Sequence, residues 1–198
     1  EFSVYAAASI IELLKRQRDA VGISLFTEQL DLQTQAKSSV SHHRYLYSEL
    51  EKHLRMYNEA ERKSTNSIQA IHDIAELCHK RSMVVIFTDL MDDPAKESAF
   101  FLVLQHLKHN KHEVLVFHVV DKKTEIDFEL ENRPYTLVDM ETGERIKLQP
   151  AAIKEKYTES IQAYFEQLKL KCANYKIDFM PADIDAGYHD VLLNYLLK

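Results

Sequence analysis

Two kinds of apolar pattern alternate along this chain. In one, apolar residues form a continuous run, and in the other they recur at helical spacing and form a stripe. The run Met83–Phe87 is apolar on both faces, and residues 114–120 form a second, mostly apolar run. Strands of this kind are typical of the middle of a parallel sheet that helices cover on both sides. Because such strands alternate with helical stripes, the pattern predicts an α/β fold with right-handed crossover connections.

Apolar residues that recur every three or four positions predict the helices. The first helix spans residues 3–17, with a stripe that runs from Val4 to Leu14. Proline favours the first turn of a helix, so Pro94 and Pro150 each mark the start of another one. The remaining predicted helices cover residues 42–57 with Ser41 as the cap, a segment after Thr65–Asn66–Ser67 that carries Ile71, Ile74, Ala75 and Cys78, and a segment around residues 191–196.

Shorter strands are predicted towards both ends of the chain. Residues 20–26 favour a strand that pairs with a short edge strand containing Leu30 and Leu32, in a hairpin around Thr27–Glu28. Apolar residues at alternate positions of 175–179 predict the last strand. The sequence therefore places at least one antiparallel pair beside the parallel strands.

Residues 121–149 interrupt the alternation of strands and helices. Ile126, Phe128 and Leu130 alternate with charged residues, and residues 141–144 have the composition of a turn. This pattern predicts a small β excursion on the surface, inserted between a strand and a long helix. Its apolar positions leave two interpretations open, a solvated sheet edge and a docking surface for a partner protein.

Composition restricts the classes of function. The net charge of −6 over 198 residues, without a basic run among aromatic residues, argues against nucleic-acid binding. Three glycines are too few for a Gly-rich phosphate loop of the usual types. No apolar run is long enough to span a membrane. Cys78 and Cys172 occupy apolar helical positions, which predicts buried thiols in a reducing compartment.

The first candidate site lies where the apolar run 83–87 ends. Asp89 follows the predicted strand, and Asp92 and Asp93 come shortly after it. Open α/β sheets bind ligands at the carboxyl ends of their strands. Carboxylate oxygens together with the Thr88 hydroxyl suit a hard cation such as Mg²⁺. A solvated loop or a helix cap is the alternative interpretation of the same residues.

Histidines are clustered in the sequence without a convincing ligand spacing. His106, His109 and His112 are three residues apart, but lysines surround them and His112 lies at the start of a strand. A solvated surface is therefore favoured over a zinc site, and His42 and His43 are also expected in solvent. No nucleophilic serine turn and no Cys–His pair is identifiable, so covalent catalysis is not predicted.

Four segments occur in an order and spacing that resemble one family. They are residues 16–26 (RQRDAVGISLF), 84–93 (VVIFTDLMDD), 112–121 (HEVLVFHVVD) and 137–144 (LVDMETGE). Together they resemble the uncharacterised, MoxR-associated family of von Willebrand factor A-like domains over essentially the whole chain. The resemblance implies a doubly wound, mostly parallel, Rossmann-like sheet in a single domain that spans residues 1–198.

The resemblance also implies a metal-ion-dependent adhesion site made of three loops. Thr65 matches the threonine of the second loop, although its neighbours Ser64 and Asn66 depart from the usual glycine and aspartate. Asp89 matches the aspartate of the third loop. The first loop, Asp-x-Ser-x-Ser, is not in this sequence, and neither is the strand before it. We therefore expect an N-terminally truncated domain that binds Mg²⁺ weakly or not at all, whereas the intact protein binds it.

A missing central strand would leave unpaired backbone groups, which a homodimer or another chain would satisfy. The function that the resemblance implies is a non-catalytic protein-interaction module, in which Mg²⁺ coordinates a carboxylate of a partner. The family's association with MoxR-type AAA+ ATPases implies a cytoplasmic bacterial adaptor. The alternative is an Mg²⁺-dependent hydrolase that uses Asp89, Asp92 and Asp93, for which no general base is evident nearby.

Overall fold

The computed structural model describes residues 1–26, 30–57, 67–78, 81–89, 94–138, 143 and 145–197. Contacts within the chain divide it into two compact units, which are described separately below. The first unit comprises Glu1–Lys80, Asp92–His106 and Gly187–Lys198, and the second comprises Arg81–Met91 and Leu107–Ala186. The expectation of a single domain over residues 1–198 stays a prediction.

Helices and strands alternate along the described residues. The elements are α1 (Phe2–Gln17), β1 (Ser24–Phe26), β2 (Leu30–Gln33), α2 (Val40–Tyr57), α3 (Ser67–Leu77), β3 (Met83–Thr88), α4 (Pro94–His109), β4 (Glu113–Val120), a π-helical turn (Lys122–Ile126), β5 (Tyr135–Val138), β6 (Arg145–Leu148), α5 (Pro150–Asn174), β7 (Asp178–Asp183) and α6 (Gly187–Leu196). In this described part, no helix combines the length and the apolarity that crossing a bilayer requires.

The second unit contains a parallel sheet in the order β3–β4–β7. Its register aligns Thr88 with His118 and His118 with Pro181. The central strand β4 is buried on both faces, since Val114, Leu115, Val116 and Phe117 are each at most 2% exposed. Continuous apolar runs are expected in strands with this environment. The mixed α/β class and the two predicted long strands are therefore confirmed.

Helix α5 packs against β7 within the second unit. Leu168 and Cys172 are buried on the inner face of this helix, with 1% and 0% exposure. Cys172 is therefore a buried thiol, as its position in the helical stripe predicts, while Cys78 is half-buried. Neither cysteine forms a disulfide.

The inserted segment combines a turn and a hairpin. β5 and β6 pair in antiparallel register from Tyr135–Leu148 to Val138–Arg145, so the later part of the predicted excursion over residues 121–149 contains a β hairpin. The prediction of a strand around Ile126, Phe128 and Leu130 is wrong. The chain there forms the π-helical turn and then places Phe128 at a φ of 49°. Phe128 is buried against Tyr157 of α5, with ring centroids 4.5 Å apart. This contact stabilises a backbone conformation that is not an extended strand.

The first unit has its own apolar core. Helix α1 packs against α2 and α6. Ile11 of α1, Val21, and Leu46 and Leu50 of α2 form a buried cluster in which none is more than 9% exposed. The helical stripes that the sequence predicts for α1 and α2 supply these contacts, which confirms both helices.

A two-stranded antiparallel sheet, β1–β2, belongs to the same unit. It confirms the predicted hairpin, whose turn at residues 27–29 lies outside the described residues. The first strand is shorter than the predicted span 20–26, since only an isolated bridge between Val21 and Lys37 precedes it. At Ile23, the Thr34 hydroxyl accepts from the backbone N–H at 2.8 Å and donates to the backbone carbonyl at 3.2 Å.

Two element starts differ from the sequence prediction. Helix α2 begins at Val40, and the hydroxyl of Ser39, rather than that of Ser41, accepts a hydrogen bond from the backbone N–H of His42 at 3.3 Å. Strand β7 begins at Asp178, because Tyr175 and Lys176 form the turn that ends α5. Both shifts are of the size at which element boundaries commonly vary.

Candidate metal centre at the carboxyl edge of the parallel sheet

Three aspartates lie where the parallel strands of the second unit end. Asp89 follows β3, Asp121 follows β4, and Asp183 is the last residue of β7. The strands run parallel and their ends align, with Val120 opposite Asp183, so the three residues share one edge of the sheet. We call this end of the sheet the carboxyl edge. It is the part of an open α/β sheet where ligands bind.

Two of these aspartates stabilise local backbone structure. Asp121 caps the π-helical turn by accepting from the backbone N–H of Thr124 at 3.3 Å, and hydrogen bonds from Thr124 lower the pKa of its carboxyl group. The Oδ1 atom of Asp183 accepts from the backbone N–H groups of Lys122 at 3.4 Å and Asp185 at 3.1 Å. Asp183 therefore joins the end of β7 to the turn that follows β4.

Two lysines of the turn neutralise other acids nearby. Lys122 Nζ lies 2.7 Å from Asp127 Oδ2, and Lys123 Nζ lies 2.7 Å from Asp185 Oδ2. These ion pairs are largely exposed, so each contributes little to stability. They do fix the turn against the end of β7, and they reduce the negative charge on that side of the carboxyl edge.

Asp89 and Glu125 are two further acidic residues of the carboxyl edge. Burial raises the pKa of Glu125, and the nearby charges of Asp89 and Asp121 raise it further. Its Oε2 atom accepts from the backbone N–H of Asp121 at 3.1 Å. The backbone carbonyl of Glu125 accepts from the Tyr157 hydroxyl at 2.8 Å, which ties the turn to α5. Asp89 is exposed, and the Thr88 hydroxyl donates to its backbone carbonyl at 3.4 Å.

The chemistry of these donors fits a hard divalent cation. Mg²⁺ prefers oxygen ligands, and it is commonly held by one or two carboxylates with water in the other positions. A carboxyl group whose pKa rises beside another carboxylate is stabilised in its ionised form by such a cation. Asp89 and Glu125 would hold the ion, and the ion would offer its open positions to an anionic ligand.

The sequence identified only part of this arrangement. It identified Asp89 from its place after an apolar strand, and the structure puts that residue at the carboxyl edge. It missed Glu125, because the charged segment around this residue was interpreted as a solvated strand. Thr65, the second predicted metal ligand, lies outside the described residues, and so do Asp92 and Asp93 of the hydrolase alternative.

Several histidines differ from their predicted environment. The expectation that His112 and His43 are solvated is wrong, since each is only 2% exposed. The Nδ1 atom of His112 accepts from the backbone N–H of Ser82 at 3.3 Å, and this bond links the starts of β3 and β4. His42 is half-buried, with Nε2 placed 2.9 Å from the carbonyl oxygen of Val21. These imidazoles are buried because they lie on the apolar stripe of a helix or at the start of a strand. The spacing of the histidines along the sequence does not reveal this burial.

Comparison with known proteins gives a family but no characterised relative. A family model described as "Protein of unknown function DUF58" matches residues 1–166. No curated protein and no solved structure matches the chain. The matched region includes α1 to α4, the strands β3 and β4 and most of α5. Because this match covers most of the chain, the protein belongs to the DUF58 family of proteins of unknown function.

Proposed function

We propose that this chain is a non-catalytic protein-interaction module of von Willebrand factor A type, with a divalent cation at its carboxyl edge. Mg²⁺ would bind there through Asp89 and Glu125. The open positions of the ion would take a carboxylate from a partner protein. The sheet would then be the doubly wound sheet of that fold type.

The observation that carries this proposal is the placement of Asp89 and Glu125 on two connections that follow neighbouring strands, β3 and β4. Burial raises the pKa of Glu125, and the charges of Asp89 and Asp121 raise it further. The neighbouring Asp121 and Asp183 accept backbone hydrogen bonds that fix the loops. Carboxylates on loops that are fixed in this way are oxygen ligands of the kind that Mg²⁺ prefers.

A partner also needs a contact surface on the same unit. The hairpin β5–β6 belongs to the same unit and presents apolar side chains to solvent: Leu137 and Val138 are each 45% exposed and Ile146 is 60% exposed. Exposed apolar residues grouped on one element are typical of a protein-binding surface. We propose a MoxR-type AAA+ ATPase as the partner, on the basis of the family resemblance.

Cation binding is tested by titrating the chain with Mg²⁺ and Mn²⁺ in a calorimeter, alongside Asp89→Asn and Glu125→Gln. Asp178→Asn is the matched control, because Asp178 is exposed and lies at the opposite, amino end of the same sheet. We expect weak but saturable binding by the unmodified chain and the control, because the first loop of the implied site is missing, and loss of binding in both test variants. Equal heats for all four proteins would overturn the proposed cation site.

Partner binding is tested with a purified MoxR-type ATPase from the same organism in size-exclusion chromatography. Chelation is a poor test, because P-loop ATPases themselves need Mg²⁺. Asp89→Asn and Asp178→Asn should therefore be compared at constant Mg²⁺. We expect the first variant to lose co-elution and the second to keep it. Absence of a complex with the unmodified chain would reject this partner without affecting the cation site.

The non-catalytic assignment is tested by a phosphatase screen of the unmodified chain with Mg²⁺ or Mn²⁺. We expect no turnover above that of the buffer, as a non-catalytic module requires. Turnover that Asp89→Ala abolishes and Asp178→Ala retains would replace the interaction module with the hydrolase.

A further inference from the structure

We propose a second metal site in the first unit, formed by His72 and Glu76 of α3 and His106 of α4 and suited to Zn²⁺ or a similar late transition-metal ion. Each residue offers one ligand atom, and these three atoms all lie within 4.8 Å of one another. Glu76 Oε1 is 3.3 Å from His106 Nε2. The rings of His72 and His106 have centroids 5.5 Å apart at an angle of 50°.

The spacing of these atoms suits a tetrahedral ion. Zinc binds imidazole nitrogen and carboxylate oxygen at roughly 2.0–2.2 Å, so two ligands on one ion are about 3.4 Å apart. The pair Glu76–His106 already has this separation. The ligand atom of His72 lies within 4.8 Å of the other two, so it must approach them more closely to share one ion.

Buried residues of α3 and α4 fix the backbone that carries the three ligands. His72 and Glu76 are four residues apart on α3 and therefore project from the same face. Ile74 and Ala75, between them in sequence, are buried and anchor the helix on its other side. On α4, Val103 and Leu104 are buried just before His106. The backbone positions are fixed by packing, while the three ligand side chains remain accessible to an ion from solution.

An ordinary surface ion pair accounts for less of this geometry. Such a pair needs one imidazole and one carboxylate, as in Glu76 and His106, and it leaves the approach of His72 unexplained. Two imidazoles and one carboxylate form a ligand set that binds zinc in enzymes, with a fourth position for water. Imidazole-rich sites prefer Zn²⁺, Cu²⁺, Ni²⁺ and Co²⁺ to Mg²⁺. The site is thus chemically distinct from the oxygen-only carboxyl edge.

The test is a competition titration of Zn²⁺ between the chain and a chromogenic chelator. His72→Ala and His106→Ala each remove one ligand, and we expect each to weaken binding by at least about tenfold, since even indirect supports of metal ligands commonly contribute that much. His109→Ala is the matched control, because His109 is exposed and lies three residues after His106 on the same helix. Its affinity should equal that of the unmodified chain.

Two results would overturn the proposal. If His109→Ala weakens binding as much as His106→Ala, the ion binds along α4 alone. If the double variant His72→Ala/His106→Ala binds like the unmodified chain, the ion binds elsewhere. Visible spectra of the Co²⁺-loaded chain add an independent readout: the proposed site predicts tetrahedral bands without the thiolate charge-transfer band that binding at Cys78 would give. A thiolate band lost in Cys78→Ser would also reject the site.

Discussion

The imidazole of His118 lies against the ring of Phe165, with ring centroids 4.8 Å apart. His118 is on the central strand β4 and is fully buried, and the ring of Phe179 of β7 is a second neighbour, with centroids 5.7 Å apart. Neither ring nitrogen of His118 has a hydrogen-bond partner among the described residues. A histidine in such an apolar environment is stable only in its neutral form.

This environment predicts acid sensitivity. Burial lowers the pKa of His118 to about 4, from 6.5 for an ordinary histidine. The unfolded chain therefore takes up a proton at a higher pH than the folded chain, and stability is lost as the pH falls from 6.5 towards 4. At about 1.4 kcal/mol per pKa unit, the loss is roughly 3 kcal/mol. Urea unfolding at pH 7, 5.5 and 4 measures it.

The variant His118→Leu should remove this part of the acid loss, because leucine has a similar volume and does not titrate. His189→Leu is the control, since His189 is 80% exposed. The unmodified chain and the control should lose about 3 kcal/mol more than His118→Leu between pH 7 and pH 4. Parallel losses in all three proteins would show that other groups cause the acid sensitivity.

A hydrogen bond between helices predicts a stability difference between two tyrosines of α2. The Tyr47 hydroxyl donates to Glu12 Oε2 of α1 at 3.0 Å, and burial together with this bond raises the pKa of Tyr47 to about 12. Tyr47→Phe should cost about 1 kcal/mol, the usual net contribution of one hydrogen bond. Tyr45→Phe should cost almost nothing, because Tyr45 is 44% exposed. Equal urea midpoints for the two variants would contradict the assigned bond.

Close backbone approach makes Gly22 intolerant of a side chain. A Cβ atom at this position would lie 2.7 Å from the backbone oxygen of Thr34 and 3.2 Å from the backbone nitrogen of Ala36. Gly22→Ala should therefore cost about 1–3 kcal/mol, as overpacking commonly does. Gly143 has a φ of +72° but open space around it, and asparagine tolerates that conformation. Gly143→Asn should accordingly leave the melting temperature almost unchanged, and an equal loss in both variants would exclude crowding as the cause.

Sequence patterns predicted the long parallel strands from their apolar runs. The run at 113–120 gave β4, which is buried on both faces at Val114–Phe117. The run at 83–88 gave β3, but this strand lies at one end of the described sheet and only its Ile86 is buried. The pattern failed at Phe128, where alternation over a few residues fits a strand as well as a turn. A tertiary contact with Tyr157 decides between them, and local spacing does not contain that information.

The candidate sites show the same limit. Asp89 was predictable because the end of a parallel strand is itself a sequence feature. Glu125 depends on how the π-helical turn folds back towards β3. His72 and Glu76 have a visible helical spacing, but their relation to His106, thirty residues further on, arises from the packing of α3 and α4. Ligands that come from separate elements are seen only in the folded chain.

Glu125 provides the last prediction, in which stability and cation binding change in opposite directions. Its pKa is raised by burial and by the charges of Asp89 and Asp121, so the folded chain holds its proton to a higher pH than the unfolded chain. The folded state therefore loses stability as the pH rises through 4.5 and the folded-state pKa, and at pH 7 the ionised group is destabilising.

The variant Glu125→Gln tests this prediction, because it keeps an oxygen that accepts from the Asp121 N–H and removes the charge. We expect a higher urea midpoint at pH 7 together with loss of the Mg²⁺ response, whereas Glu129→Gln, an exposed neighbour, should change neither property. A lower midpoint for Glu125→Gln would mean that the carboxylate is held by favourable contacts and is not poised for a cation.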